Sequence, residues 1–153
     1  MSAEGSAVDN ALVAYLLGDP ALSTVCPDGV HLDEALPNSK RYLVIVMEGH
    51  RDVSAFSGQG GYQLIRYAVS AVGLSSVTPP ADMTAAAERI HALLQDQPLP
   101  PVPGYEAVTL SRLEDTDEAR IRLVVPDSGD PSLRWYSRGG RYVAHASPIV
   151  TPV

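Results

Sequence analysis

Tyr62-Gln63-Leu64-Ile65-Arg66-Tyr67-Ala68-Val69-Ser70-Ala71-Val72 decides how this chain folds. Read with the two-residue period of a strand, Ile65, Tyr67, Val69 and Ala71 share one face, and Leu64 and Ala68 share the other with Arg66 and Ser70. One face apolar and one mixed is the pattern of an antiparallel sheet with a single covered side. The cover follows at once in the chain. Thr78-Pro79-Pro80 opens a helix in which Met83, Ala86, Ala87, Ile90 and Leu94 recur at helical spacing, with Leu93 beside them. Glu88, Arg89 and Gln95 lie on its other side, and Pro98, Pro100, Pro101 and Pro103 forbid any continuation. Burying Met83, Ile90 and Leu94 against the strand contributes about 5–9 kcal/mol before chain entropy is subtracted.

Upstream, Tyr42-Leu43-Val44-Ile45-Val46-Met47 is a continuous apolar run rich in β-branched residues, read as a central strand covered on both faces. Gly49 to Gly61 is a polar connection with Gly58, Gly60 and Gly61 at its end, and its length suggests a protruding loop. Before the first strand, Pro27 to Lys40 reads as a loop with a turn at Pro27-Asp28-Gly29. The chain starts with an apolar helix. Ser6 and Asp9 stand at capping-box spacing, and Val8, Leu12, Tyr15 and Leu16 follow on one face. Gly18 is expected to end the helix in a left-handed conformation, Asp19 to cap the next turn and Pro20 to occupy its first position. That second short helix ends near Cys26-Pro27, so residues 1–7 read as an arm and the two helical pieces as a cover for the core.

Downstream, a strand from about Ala107 to Leu113 places Val108 and Leu110 on one face. Glu114-Asp115-Thr116-Asp117-Glu118 reads as an acidic turn, and Ala119 to Val125 alternates Ile121, Leu123 and Val125 against Arg120 and Arg122. These two strands are expected to pair as a hairpin. After a turn-rich loop from Pro126 to Pro131, Leu133–Ser137 and Arg141–Ala146 form either a strand pair about Gly139-Gly140 or one bent strand. Pro148-Ile149-Val150-Thr151-Pro152-Val153 is an extended apolar tail. The element order gives an α+β domain, a single mainly antiparallel sheet with one long and one or two short helices packed on one face. Such a layer leaves a second face and two edges to be managed, which favours a subunit of an assembly.

With 153 residues the chain suits one domain around one core, and its apolar fraction is that of a folded globular protein. No run approaches membrane-spanning length, and Met1-Ser2-Ala3-Glu4 begins no secretion signal. Cys26 is the only cysteine, so an internal disulfide is excluded and synthesis in the cytosol is expected. A formal net charge of −7 argues against tight, sequence-independent nucleic-acid binding, which needs many Lys and Arg to displace counterions. His31, His50, His91 and His145 stand apart from one another and in no zinc spacing with Cys26, and no Gly-x-Ser-x-Gly elbow is present. Gly58-Gln59-Gly60-Gly61 lacks the Gly-Lys-Ser/Thr ending of a phosphate loop, and the acidic turn lacks the Asp-x-Asp-x-Asp-Gly calcium pattern. Trp135 and Tyr136, beside Arg134 and Arg138, read as core or subunit-contact residues. No catalytic residue, cofactor or metal is expected, and the chain reads as non-enzymatic. A small α+β enzyme or ligand-binding domain with a site assembled in space is the rival reading.

Asn10-Ala11-Leu12-Val13-Ala14-Tyr15-Leu16 followed by Asp19-Pro20-Ala21-Leu22, the strand Arg41-Tyr42-Leu43-Val44-Ile45-Val46, the helix Met83 to Leu94 and the late strands together resemble the tail-completion, or tail-terminator, family of long-tailed bacteriophages and phage-like particles. The resemblance covers roughly residues 8–147. It implies a structural virion protein, assembled in the host cytoplasm, that forms a hexameric ring at the head-proximal end of the tail tube. The ring ends tube growth and meets the head-completion or connector protein, with the tail tube protein on its other side, no membrane, and genomic DNA passing through the bore unbound. A head-completion or other neck protein is the alternative within the same particle. On this reading Arg51, Phe56, Gln59, Glu114, Asp115, Asp117 and Glu118 are the candidate contacts to tube or partner, and Ile149, Val150 and Val153 the candidate contacts to a neighbouring subunit.

Overall fold

The computed structural model describes residues 3–35, 37–53, 61–112 and 119–149. Three helices, α1 (Ala3–Leu17), α2 (Pro20–Val25) and α3 (Pro80–Leu94), accompany seven strands: β1 (Val30–Leu32), β2 (Arg41–Val53), β3 (Tyr62–Leu74), β4 (Gln97–Pro98), β5 (Tyr105–Arg112), β6 (Arg120–Pro126) and β7 (Arg134–Pro148). They form one sheet in the order β1-β2-β3-β7-β5-β4, with β6 also paired to β7. Among the described strands β1 and β2 pair in parallel, and the other pairings are antiparallel. The fold is the α+β layer that the alternation in β3 predicts.

The core lies between the sheet and its helices. Ile65, Tyr67, Val69 and Ala71 of β3 are fully buried, as are Met83, Ile90 and Leu94 of α3 and Val8, Leu12 and Leu16 of α1. Leu43 and Ile45 of β2, Leu110 of β5, and Tyr142, Ala144 and Ala146 of β7 complete this face. The Tyr15 hydroxyl donates to the Leu93 carbonyl at 3.0 Å and ties α1 to α3.

At the α1–α2 break, Asp19 caps α2: its Oδ2 accepts the Leu22 N–H at 3.1 Å, and Pro20 takes the first helical position. The same carboxylate is clamped by Arg89 of α3, through Nε at 3.1 Å and Nη2 at 2.6 Å. The Arg89 guanidinium, more than offsetting burial, holds the Asp19 carboxyl below its usual range.

Several expectations are corrected. The helix begins at Ala3, so Ser6 and Asp9 lie inside it and not at its start, where a capping box would stand. Asp9 is instead buried, and its carboxylate accepts the Tyr67 hydroxyl at 2.5 Å. Gly18 is not left-handed; its N–H closes an ordinary helical bond to Ala14, and the chain turns on the Asp19-Pro20 cap. Pro27–Lys40 is not all loop, because Val30–Leu32 pairs with Leu43–Ile45. β2 is buried on one face only, with Tyr42, Val44 and Val46 half-buried on the other. Residues 49–53, expected in the protruding connection, continue β2 and pair with Tyr62–Arg66 after a bulge at Glu48.

The largest correction concerns the late strands. β5 and β6 form no hairpin with each other. β7 is one continuous strand, and both pair with it along the same side: β6 against Arg134–Gly140 and β5 against Tyr142–Pro148. β7 is held to β3 over twelve residue pairs from Trp135–Leu74 to Ala146–Gln63. At Gly139 the two strands come so close that a Cβ would sit 2.0 Å from the Val69 carbonyl oxygen, so only glycine fits.

Candidate assembly surfaces

β6 pairs with β7 on one side, and no described strand lies on the other. Its burial is as unexpected as its pairing. The alternation of Ile121, Leu123 and Val125 predicts a covered apolar face, yet Leu123 and Val125 are 56% and 50% exposed, and Val124 on the opposite face is 51% exposed. Three consecutive large apolar residues on an edge that no described strand covers are a liability for a lone molecule and a resource for an assembly.

The helix-bearing face of the same strand carries charge. Arg120 and Arg122 of β6 share it with Arg138 of β7, because Arg122 lies opposite Arg138 in the register. With Arg112 at the end of β5 and Thr84, Glu88 and His91 along α3, they line a groove of about 410 Å³ floored by Gly139 and Tyr142. Four of the chain's eleven Lys and Arg thus meet in one place, with Glu88 the one carboxylate among the described lining residues. Burial, and then the like charge of Arg122, pull the Arg138 pKa below its usual value. The Arg138 guanidinium donates to the Leu123 and Ser137 carbonyls at 3.0 Å and lies 5.8 Å from the Tyr136 ring. The buried Nε of Arg112 has no hydrogen-bond partner. Beneath it, burial pushes the Tyr142 hydroxyl up to about 12, and that hydroxyl lies 3.2 Å from His91 Nδ1. A groove of this kind holds carboxylates or phosphates by bidentate guanidinium contact.

At the far end of the sheet, β1 forms the other edge. Leu32 is 37% exposed, and Asp33 and Glu34 beside it are exposed. Neither carboxylate has a hydrogen bond or ion pair among the described residues, whereas Asp28 is occupied by the Lys40 and Arg41 N–H groups.

Of the sequence-predicted contacts, Arg51 lies on exposed β2 opposite Leu64, next to exposed Asp52. Ile149 is exposed just after β7, its N–H bonded to the Gly104 carbonyl at 3.0 Å. Phe56, Gln59, Glu114, Asp115, Asp117, Glu118, Val150 and Val153 lie outside the described residues. Arg51 and Ile149 are therefore not brought together with the arginine groove, which sequence reasoning missed. The available signal was the i, i+2 spacing of Arg120 and Arg122; Arg112 and Arg138 join them only through the pairing on β7. Trp135 donates from Nε1 to Asp127 at 2.8 Å and leans on Tyr42 across the open face of the sheet. Cys26 is buried, and desolvation raises its thiol to about 11, which leaves it unreactive at neutral pH. Among the described residues no group of three His, Cys, Asp or Glu is placed to hold a metal, and no helix is long and apolar enough to cross a membrane.

No protein-family model matches the sequence, and no curated protein does. Among solved structures, the fold matches a chain of the "Virion of native gene transfer agent (GTA) particle" with a TM-score of 0.69, covering 95% of this chain and 98% of that one at 18% sequence identity. The two chains share one architecture over nearly their whole lengths.

Proposed function

We propose that this chain is a non-enzymatic structural protein of a phage-like virion, a tail terminator that closes into a hexameric ring at the head-proximal end of the tail tube. The observation that carries the reading is the β6 edge that no described strand pairs, with Leu123, Val124 and Val125 exposed, in a fold shared over nearly its whole length with a chain of a virion. A sheet with one bare apolar edge and a second, different edge is completed by head-to-tail contact, and head-to-tail contact around an axis closes a ring. Such a ring ends tube growth when one of its faces fits the tube protein and the other fits a head-completion or connector protein. Arg51 and its neighbours on the β2–β3 hairpin are the proposed tube or partner contact, and Ile149 with the residues after it the proposed subunit contact. A net charge of −7 favours passage of DNA through the bore without adhesion.

Native mass spectrometry and negative-stain microscopy test this. The expected result is six-fold rings of about six times the 16.3 kDa chain mass, located between tube and head in assembled particles. A species that stays a single chain at millimolar concentration refutes the ring, and a ring located elsewhere in the particle refutes the terminator role.

A further inference from the structure

We infer that neighbouring copies join through opposite charge at their two sheet edges: the β6 edge of one copy, with its arginine groove, receives the Asp33-Glu34 edge of the next. The inference deepens the ring reading and rests on it.

The two edges are different surfaces, since β1 ends the sheet beyond β2 whereas β6 pairs with β7 on the side away from β3. Each pairs exposed apolar side chains with one sign of charge. At β6 these are Leu123 and Val125 with Arg122 beside Arg138; at β1 they are Leu32 with Asp33 and Glu34. The cations are crowded, with Arg122 directly opposite Arg138 in the register, and the exposed carboxylates of Asp33 and Glu34 have no hydrogen bond or ion pair among the described residues. Two carboxylates entering the groove relieve the first condition and satisfy the second. A positive and a negative edge attract in the head-to-tail sense, and like edges repel, so the charge pattern opposes pairing of β6 with β6 or of β1 with β1. It also removes the arginines from any DNA-lined surface, where they would grip phosphates.

The test uses the full chain with Arg122→Glu and with Glu34→Arg. Both positions are exposed, and neither side chain has a hydrogen-bond partner among the described residues, so both variants should fold with the wild-type circular dichroism and melting profile. Asp33 is left alone because its φ of 64° makes any exchange there a backbone change. Each variant alone carries a like-charged contact and should fall to the 16.3 kDa chain mass. An equimolar mixture restores opposite charges at every contact, in alternation around the ring, and should recover the wild-type mass. The double variant in one chain should recover it too.

Wild-type rings that survive either single reversal, or variants that the mixture fails to rescue, overturn this inference and leave the ring reading standing. A wild-type chain that never associates overturns both.

Discussion

Replacing Gly139 by alanine probes the glycine with the least room for a side chain among the described glycines. The added Cβ would lie 2.0 Å from the Val69 carbonyl oxygen and 2.6 Å from the Ser70 Cα, where ordinary contact begins at 3.4 Å. Both obstacles are main chain, so no side chain can rotate aside. β7 must move off β3 by more than an ångström, at the middle of its twelve-pair ladder. Overpacking of this kind costs about 1–3 kcal/mol. Losing one or two ladder hydrogen bonds adds about 1 kcal/mol each. The entropy that alanine removes from the unfolded chain returns about 0.4–1 kcal/mol. The net destabilisation is on the order of 3 kcal/mol, which for a chain of this size lowers Tm by roughly 6–12 °C. Thermal unfolding followed by circular dichroism measures it, with Gly49→Ala as the control. There the nearest atom is the flexible Arg66 Cδ at 3.9 Å, and a strand glycine replaced by alanine should be neutral or slightly stabilising. A Gly139→Ala variant that melts with the wild type would refute the account of the β3–β7 contact.

Asp19→Asn keeps a capping side chain but loses the ion pair with Arg89, whereas Asp19→Ala also loses the cap and should be less stable than the asparagine variant by about 1 kcal/mol in urea unfolding. Because Arg89 lowers the folded-state pKa of Asp19, the pair stabilises fully above the ordinary value of 3.8 and fades as pH falls below it; wild-type stability should therefore drop more steeply than that of Asp19→Asn in acid titration below that value. Tyr67→Phe leaves the buried Asp9 carboxylate without its donor and should cost about 2–3 kcal/mol in chemical unfolding, but little in an Asp9→Leu background, where no group is left unsatisfied. Leu123→Lys should change monomer stability by less than about 0.5 kcal/mol. It should also weaken self-association roughly fivefold in sedimentation, since the exposed half of a leucine contributes about 1 kcal/mol when covered.

Periodicity read the core well because burial is what it reports. Ile65, Tyr67, Val69 and Ala71 on one strand face, and Met83, Ala86, Ile90 and Leu94 on one helix face, are buried as their spacing predicts. The Asp19-Pro20 cap was legible because its hydrogen bond spans three residues. Pairing over longer distances was not. β5 and β6 look like a hairpin since seven residues separate them, but each finds its partner in β7, whose length becomes visible only when Gly139-Gly140 is known to be passed straight through. Alternation in Ile121, Leu123 and Val125 shows which side chains share a face and is silent about whether the same chain covers it. Asp9 was misread for a related reason: a carboxylate at capping distance from Ser6 is locally plausible, and the stronger partner, Tyr67, is 58 residues away. The arginine groove draws on β5, β6 and β7, so no window of sequence contains it.

A strand fastened along only one side has a further consequence. Among the described elements β6 leans on β7 and on little else, so it should peel away and re-zip more often than the core beneath α1 and α3. Its amide protons should trade with deuterated solvent faster than those of β3 in the free molecule and slow sharply once a neighbour lies across them. Residues 120–126 would then act as a native gauge of assembly, readable peptide by peptide without attaching any label.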